Sequence, residues 1–257
     1  MTIRPNARPQ RFAVLIDAEN ASAGSVAALF EEVASYGIAS VRRAYGDWTT
    51  SHLAGWKETL NQHAIQPIQQ FRYTSGKNAT DSALIIDAMD LLYRDHLDGF
   101  CLVSSDSDFT RLATRLRESR MTVIGFGKAN TPRAFVAACD KFVYTEILDG
   151  RSKEEPAAGA ASLRKTAREL RADTKLVHLL RTATVSAAGE DGWTFLASVG
   201  NHIANQSSDF DSRNYGYPKL LSLIIATELF DVQDRTSKSG HVQKFIRDKR
   251  ATKPSEA

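Results

Sequence analysis

Leu102-Val103-Ser104-Ser105-Asp106-Ser107-Asp108-Phe109 ends a short apolar run, Phe100 to Val103, in a polar turn with two carboxylates two residues apart. A second run, Phe12 to Ile16, ends the same way, in Asp17-Ala18-Glu19-Asn20. Short apolar runs bounded by turn signals suit fully buried strands, and a helix-like segment follows each of these two. In an open α/β sheet, ligands collect outside the carboxyl ends of the parallel strands. Carboxylates gathered there without a basic partner suit a hard cation such as Mg²⁺. The stretch therefore predicts a parallel sheet with an acidic site along one edge.

Working outward, the pattern repeats. Strand 12–17 leads to a helix with Val26, Leu29, Phe30 and Val33 at helical spacing, closed by Gly37. Strand 38–45, helix 50–63 and strand 65–71 follow, then a polar loop, Tyr73 to Ala79, and a helix from Thr80 to Arg94. Strand 99–104, helix 107–119, strand 121–126, helix 132–139 and strand 142–145 complete the alternation. Such alternation predicts a sheet covered on both faces. From Asp149 to Ala161 the composition turns to Gly, Ser, Lys, Glu, Pro and Ala, which reads as a linker, with helix open beyond Ala160. Helical patterns at 174–187, 194–206 and 217–228 come next, with Phe230-Asp231-Val232, a Ser239-Gly240 turn and Val242 to Ile246. Three helices and a hairpin suit a winged helix.

Bulk properties narrow the class. The 257 residues suffice for two ordinary domains, with 42% apolar and 25% charged residues, as in globular proteins. No apolar run has the length of a membrane span, and Met1 to Arg11 lacks the apolar core of a signal peptide. Cys101 and Cys139 read as small core residues of a reduced, cytoplasmic protein. The net charge of +3 is unevenly spread. Residues 151–175 hold 7 basic and 4 acidic side chains and residues 235–257 hold 7 and 2, whereas residues 176–234 hold 3 and 7. Basic segments at the linker and tail suit phosphate contacts or simple solubility.

The acidic positions are Asp17, Asp106, Asp108 and Asp81, the last in the first turn of a helix that Thr80 would cap. A first-turn acid also complements a helix dipole, but acids at several helix starts beside strand ends favour one shared site. Asn20 suits orientation of substrate or a bound water, or a simple turn. Asp47 and Glu19 are second-tier candidates, and Asp87 and Asp90 read as solvent-facing, with another role open to Asp87. Gly76-Lys77 lacks the spacing of a phosphate-binding loop. Lys77, Arg42, Arg43 and Arg72 are candidate phosphate contacts, and no role falls to His52, His63 or His96.

Val14-Leu15-Ile16-Asp17-Ala18-Glu19-Asn20, Tyr45-Gly46-Asp47-Trp48, Thr80-Asp81 and Ser104-Ser105-Asp106-Ser107-Asp108-Phe109 together resemble the NYN domain, of the PIN-like nuclease superfamily, over residues 11–147. The resemblance implies a PIN-like Rossmannoid fold and a metal-dependent ribonuclease. It carries catalytic roles to Asp17, Asp81, Asp106, Asp108 and Asn20, with Mg²⁺ or Mn²⁺ held by the four aspartates. Asp17 and Asp106 are the expected direct ligands, with Asp81 and Asp108 completing the shell. Gly192-Trp193-Thr194-Phe195-Leu196, Phe210-Asp211-Ser212-Arg213-Asn214-Tyr215-Gly216 and Lys219-Leu220 resemble the LOTUS domain, also called OST-HTH. That resemblance implies RNA binding or protein docking, with Arg213, Lys219 and Lys244 as expected RNA contacts and Lys238, Arg247, Lys249 and Arg250 as further wing and tail cations.

The expected organisation is a catalytic domain over 1–148, a linker over 149–173, a winged helix over 174–247 and a basic disordered tail over 248–257. The expected partner is single-stranded or structured RNA, with no membrane, and both a protein partner and a homodimer stay open. The rival is a catalytically silent RNA-binding scaffold. A phosphatase or receiver domain is disfavoured, because no Asp-x-Asp-x-Thr follows the first strand and Lys128 is a weak receiver lysine.

Overall fold

The computed structural model describes residues 8–71, 79–94, 96–149, 164–237 and 240–251. The chain divides into two compact units at Glu154/Glu155, each described here by itself. In the first, the strands are β1 (Arg11–Asp17), β2 (Ile38–Gly46), β3 (Gln66–Gln69), β4 (Gly99–Val103), β5 (Thr122–Gly127) and β6 (Lys141–Tyr144). The helices are α1 (Val26–Ala34), α2 (Trp56–Gln62), α3 (Ala79–Arg94), α4 (Thr110–Glu118), α5 (Arg133–Ala138) and α6 (Glu146–Asp149). The strands form one sheet in the order β3-β2-β1-β4-β5-β6, and every pairing is parallel.

The apolar runs form central strands because the sheet is buried on both faces, the arrangement that favours continuous hydrophobic sequence. Along β1, Ala13 and Leu15 enter one core, while Phe12, Val14 and Ile16 enter the other. The first core packs α3, α4 and α5 against the sheet, and the second packs α1, α2 and α6 against the opposite face. Phe100 and Leu102 of β4 fill the first core, Cys101 and Val103 the second. Both cysteines are buried thiols, and burial pushes Cys139 up to about 12, which suits inert packing.

The chain order reverses between β1 and β4: β2 and β3 lie on one side, β5 and β6 on the other. Ligands in doubly wound sheets collect at that reversal. Ile16 lies opposite Val103, so the chain leaves β1 at Asp17 and β4 at Ser104 side by side. Gly127 ends β5 close by, and a Cβ there would fall 2.6 Å from the Ser104 carbonyl oxygen. Glycine is what permits that approach.

The second unit contains α7 (Ala167–Ala172), α8 (Thr174–Ser186), α9 (Leu196–Gln206) and α10 (Leu220–Thr227), with strands β7 (Thr194–Phe195), β8 (Phe230–Thr236) and β9 (Val242–Asp248). The strands form an antiparallel sheet in the order β7-β9-β8, completing a winged-helix arrangement. Its core includes Leu170, Leu176, Leu180, Val199, Leu223 and Ile246. Two details sharpen or change the sequence expectation. Residues 167–172, in the part of the expected linker where helix was open, form a helix with a reciprocal Thr166/Glu169 capping box, and buried Leu170 ties it to the core. Thr194 and Phe195, read as helix, pair with Ile246 and Phe245 of β9. Most of the linker and of the tail lies outside the described residues.

Candidate metal centre

Asp17 is the buried foundation of the site, 1% exposed at the end of β1. Its Oδ2 accepts hydrogen bonds from Asn20 Nδ2 at 2.6 Å and Ser104 Oγ at 2.8 Å, and its Oδ1 accepts one from the Glu19 backbone N–H at 3.1 Å. Burial raises its pKa, and the donors pull the other way. Three donors around a carboxylate are what make its burial tolerable. Ser104 also accepts the Asp106 backbone N–H at 3.1 Å, so one hydroxyl joins the ends of β1 and β4. Ser104 has no role assignable from its motif alone; its one sequence signal is a serine directly after a strand and two residues before the acid.

Asp106 caps the turn 107–109, its Oδ1 accepting the Asp108 backbone N–H at 2.9 Å. Capping is the ordinary use of aspartate at a helix start, and it orients this one. Asp81 arrives from the first turn of α3. Carboxylate oxygens of Asp81, Asp106 and Asp108 all lie within 4.8 Å of one another. Partial burial, then the charges of Asp17, Asp106, Asp108 and Glu19, push Asp81 up to about 6. Among the described residues, like charge gathered at the sheet edge dominates the surroundings of Asp81.

The four predicted aspartates therefore converge, with a division of labour the sequence did not show. Asp81, Asp106 and Asp108 form the close triplet, while Asp17 lies outside it and anchors its base. Asn20 is exposed and donates to Asp17. Glu19 borders the site, accepting from Thr80 Oγ1 at 3.4 Å. Asp47 points elsewhere: its Oδ1 accepts from Thr49 Oγ1 at 2.6 Å and Gln69 Nε2 at 2.9 Å, holding the turn after β2.

The predicted basic contacts are mostly engaged within the protein. Arg43 pairs with Asp87, which also accepts from the Tyr45 hydroxyl, so Asp87 is a half-buried partner and not a solvent-facing acid. Arg42 donates to the His63 carbonyl at 2.9 Å and lies over the Phe30 ring. In the second unit, Arg213 pairs with Asp211 and Lys244 with Asp234, whereas Lys219 is exposed. Arg247 pairs with Asp231, and Lys249 Nζ donates to the Glu228 carbonyl. Lys77, Arg72 and Lys238 lie outside the described residues.

Comparison with known families agrees with this geometry. The model of the NYN domain matches residues 11–148, more than half of the chain. The chain belongs to the NYN family. Its acidic triplet sits at the strand ends of that NYN domain, within a nuclease-type fold. The model of the OST-HTH/LOTUS domain matches residues 171–242, so the NYN domain is followed by a LOTUS domain. A crystal structure of a protein of unknown function from Vibrio parahaemolyticus is 18% identical, covers 55% of this chain and 96% of its own, and has a TM-score of 0.46. A solution structure of an uncharacterized protein from Nitrosomonas europaea is 29% identical, covers 41% of this chain and 95% of its own, and has a TM-score of 0.30. No curated protein matches the chain. Among the described residues, no helix is long and apolar enough to cross a membrane.

Proposed function

We propose that the protein is a cytoplasmic metal-dependent ribonuclease that hydrolyses RNA phosphodiester bonds at the Asp81/Asp106/Asp108 triplet. The observation that carries the reading is the convergence of those oxygens within 4.8 Å at the ligand-binding edge of an NYN domain. The donor set fits a divalent ion: it consists of carboxylates, the ligands of Mg²⁺ and Mn²⁺. Asp81, held near 6 by burial and like charge, is relieved by a cation. Asp81, Asp106 and Asp108 would hold it, with Asp17 adding charge from beneath. When bound, the ion supplies the positive charge that activates water and offsets charge building on the phosphate.

The remaining work belongs to the chain. Asn20 and Ser104 donate to Asp17, which favours its charged form against burial, and Ser104 fixes the backbone from which Asp106 projects. The helix-start positions of Asp106 and Asp108 orient the acids without a long flexible tether. The LOTUS domain serves as a targeting module for RNA or a partner protein; on the RNA side, exposed Lys219 is the freest of the three predicted contacts.

The test is cleavage of labelled single-stranded RNA with Mg²⁺ or Mn²⁺ by wild type, by Asp106→Asn and in EDTA. Cleavage lost in both controls, with the variant's fold intact, is the expected result. RNA binding without cleavage by metal-loaded wild type would replace the enzyme with a scaffold.

A further inference from the structure

A cavity of about 260 Å³ opens past the ends of β4 and β5, and most of its lining has no part in the proposed hydrolysis. Asp81, Asp106 and Asp108 do not line it; Asn20 and Ser104 join it to the site, both donating to Asp17 while Ser104 Oγ also accepts the Asp106 backbone N–H. Val103 and Phe126, at the ends of β4 and β5, lie beneath it, almost wholly covered by the protein. Ser22, Thr145, Lys128 and Glu146 contribute hydroxyls and opposite charges around it. A concave site with a few convergent polar groups is the usual make-up of a small-molecule site, and this volume is below that of drug-sized ligands.

Its walls are fixed in place. The Lys128 backbone N–H donates to Ser105 Oγ at 2.8 Å, joining the loop after β5 to the loop after β4. The Ala129 backbone N–H donates to Glu146 Oε1 at 2.8 Å, which sets that carboxylate at the rim and leaves Oε2 able to accept. Lys128 is the one cation among the described lining residues, and it is exposed.

We propose that this cavity holds one ribonucleoside of the bound strand, next to the phosphate positioned at the carboxylates. The base enters the cavity, Lys128 meets the neighbouring phosphate, and Glu146 accepts from a base that presents an amino group. Asn20 and Ser22 face the sugar side with groups able to bond a 2′-hydroxyl, the atom that separates RNA from DNA. This assignment rests on the ribonuclease reading for its phosphate, but its test does not require cleavage.

The experiment measures binding of fluorescein-labelled RNA, and of DNA of the same sequence, to the full chain carrying Asp106→Asn, with Mg²⁺ present. Onto that background go Ser22→Trp, which obstructs the cavity, Lys128→Ala and Glu146→Gln. Ser22→Trp is expected to weaken RNA binding about tenfold, the order of one held base. Lys128→Ala, at an exposed position that tolerates truncation, should lower the slope of log affinity against log salt by about one. Glu146→Gln should reduce the preference for amino-bearing bases at one position of the oligomer. Unchanged affinity in folded Ser22→Trp together with an unchanged salt slope in Lys128→Ala overturns the assignment, as does failure to bind RNA. In otherwise wild-type protein, cleavage with unchanged KM in Ser22→Trp would sink the cavity and leave the nuclease standing. Cavity-dependent binding by a protein that never cleaves would do the reverse.

Discussion

Asp81→Asn should make the first unit more stable and at the same time disable its acidic site. The wild-type carboxyl has a folded pKa of about 6 against an ordinary value of 3.8. In the buried limit, that rise corresponds to ~3 kcal/mol of unfavourable ionisation. Asp81 is only partly buried, so solvent screening reduces the figure to about 1–2 kcal/mol. The sign follows from proton linkage. Between about pH 4 and 6 the folded protein holds a proton that the unfolded chain has released, so this contribution to stability is full below that window and is lost as pH rises through it. Asparagine has nothing to ionise. In EDTA at pH 7.5 the variant should therefore melt about 2–8 °C above wild type, using ~2–4 °C per kcal/mol for a unit of this size. At pH 5 the gap should shrink, because the wild-type carboxyl is mostly protonated. Mg²⁺ should raise the wild-type melting temperature more at pH 7.5 than at pH 5 and leave the variant nearly unmoved. Calorimetry at the two pH values, with EDTA or Mg²⁺, measures all of this. A variant that melts lower at pH 7.5, or a gap independent of pH, would refute the account of Asp81.

Other outcomes follow from the same geometry. Cleavage by wild type should rise through about pH 6 as Asp81 ionises and becomes available as a ligand, and a pH–rate profile flat from 5 to 8 would contradict that role. Ser104→Ala removes a donor from buried Asp17 and the acceptor of the Asp106 N–H, and should destabilise the first unit by about 1–3 kcal/mol in urea unfolding. Asp87→Ala leaves Arg43 and the Tyr45 hydroxyl without their shared partner and should cost roughly 2 kcal/mol in the same assay, with little change in metal affinity. Leu180→Ala, at a fully buried position, should cost about 2–5 kcal/mol in the LOTUS domain while cleavage of a short RNA by the NYN domain persists.

Much of the first unit was legible because its strands are central. A strand buried on both faces must be apolar throughout, so Phe12 to Ile16 and Phe100 to Val103 announce themselves, and their acids follow where the chain leaves the sheet. The second face of the problem is pairing across long separations, which leaves little local trace. Asp87 stays open between solvent and a partner in the sequence because Arg43 and Tyr45 lie over forty residues earlier on β2. Arg42 and Arg43 looked available for phosphate for the same reason: a guanidinium's partner is chosen by the fold and not by its neighbours. Thr194 and Phe195 carry no strand signature of their own; β9 makes them a strand. The division between Asp17 and the triplet was equally hidden, since it depends on how far each acid stands from the sheet edge.

The parallel order with β1 at its centre also bears on how the protein comes into being. β1 is made first, yet one of its two neighbours, β4, begins 88 positions after it and no hairpin can bring the two together. Contacts so far apart in sequence form slowly, because the intervening chain must be ordered before they repay its entropy. Until β4 docks, Asp17 faces no Ser104, and Asp106 has no scaffold on which to meet Asp81. A nascent chain therefore carries every acidic residue of α3 and β1 without owning an assembled centre. The acidic centre is withheld until the sheet is nearly whole, and topology alone sets that delay.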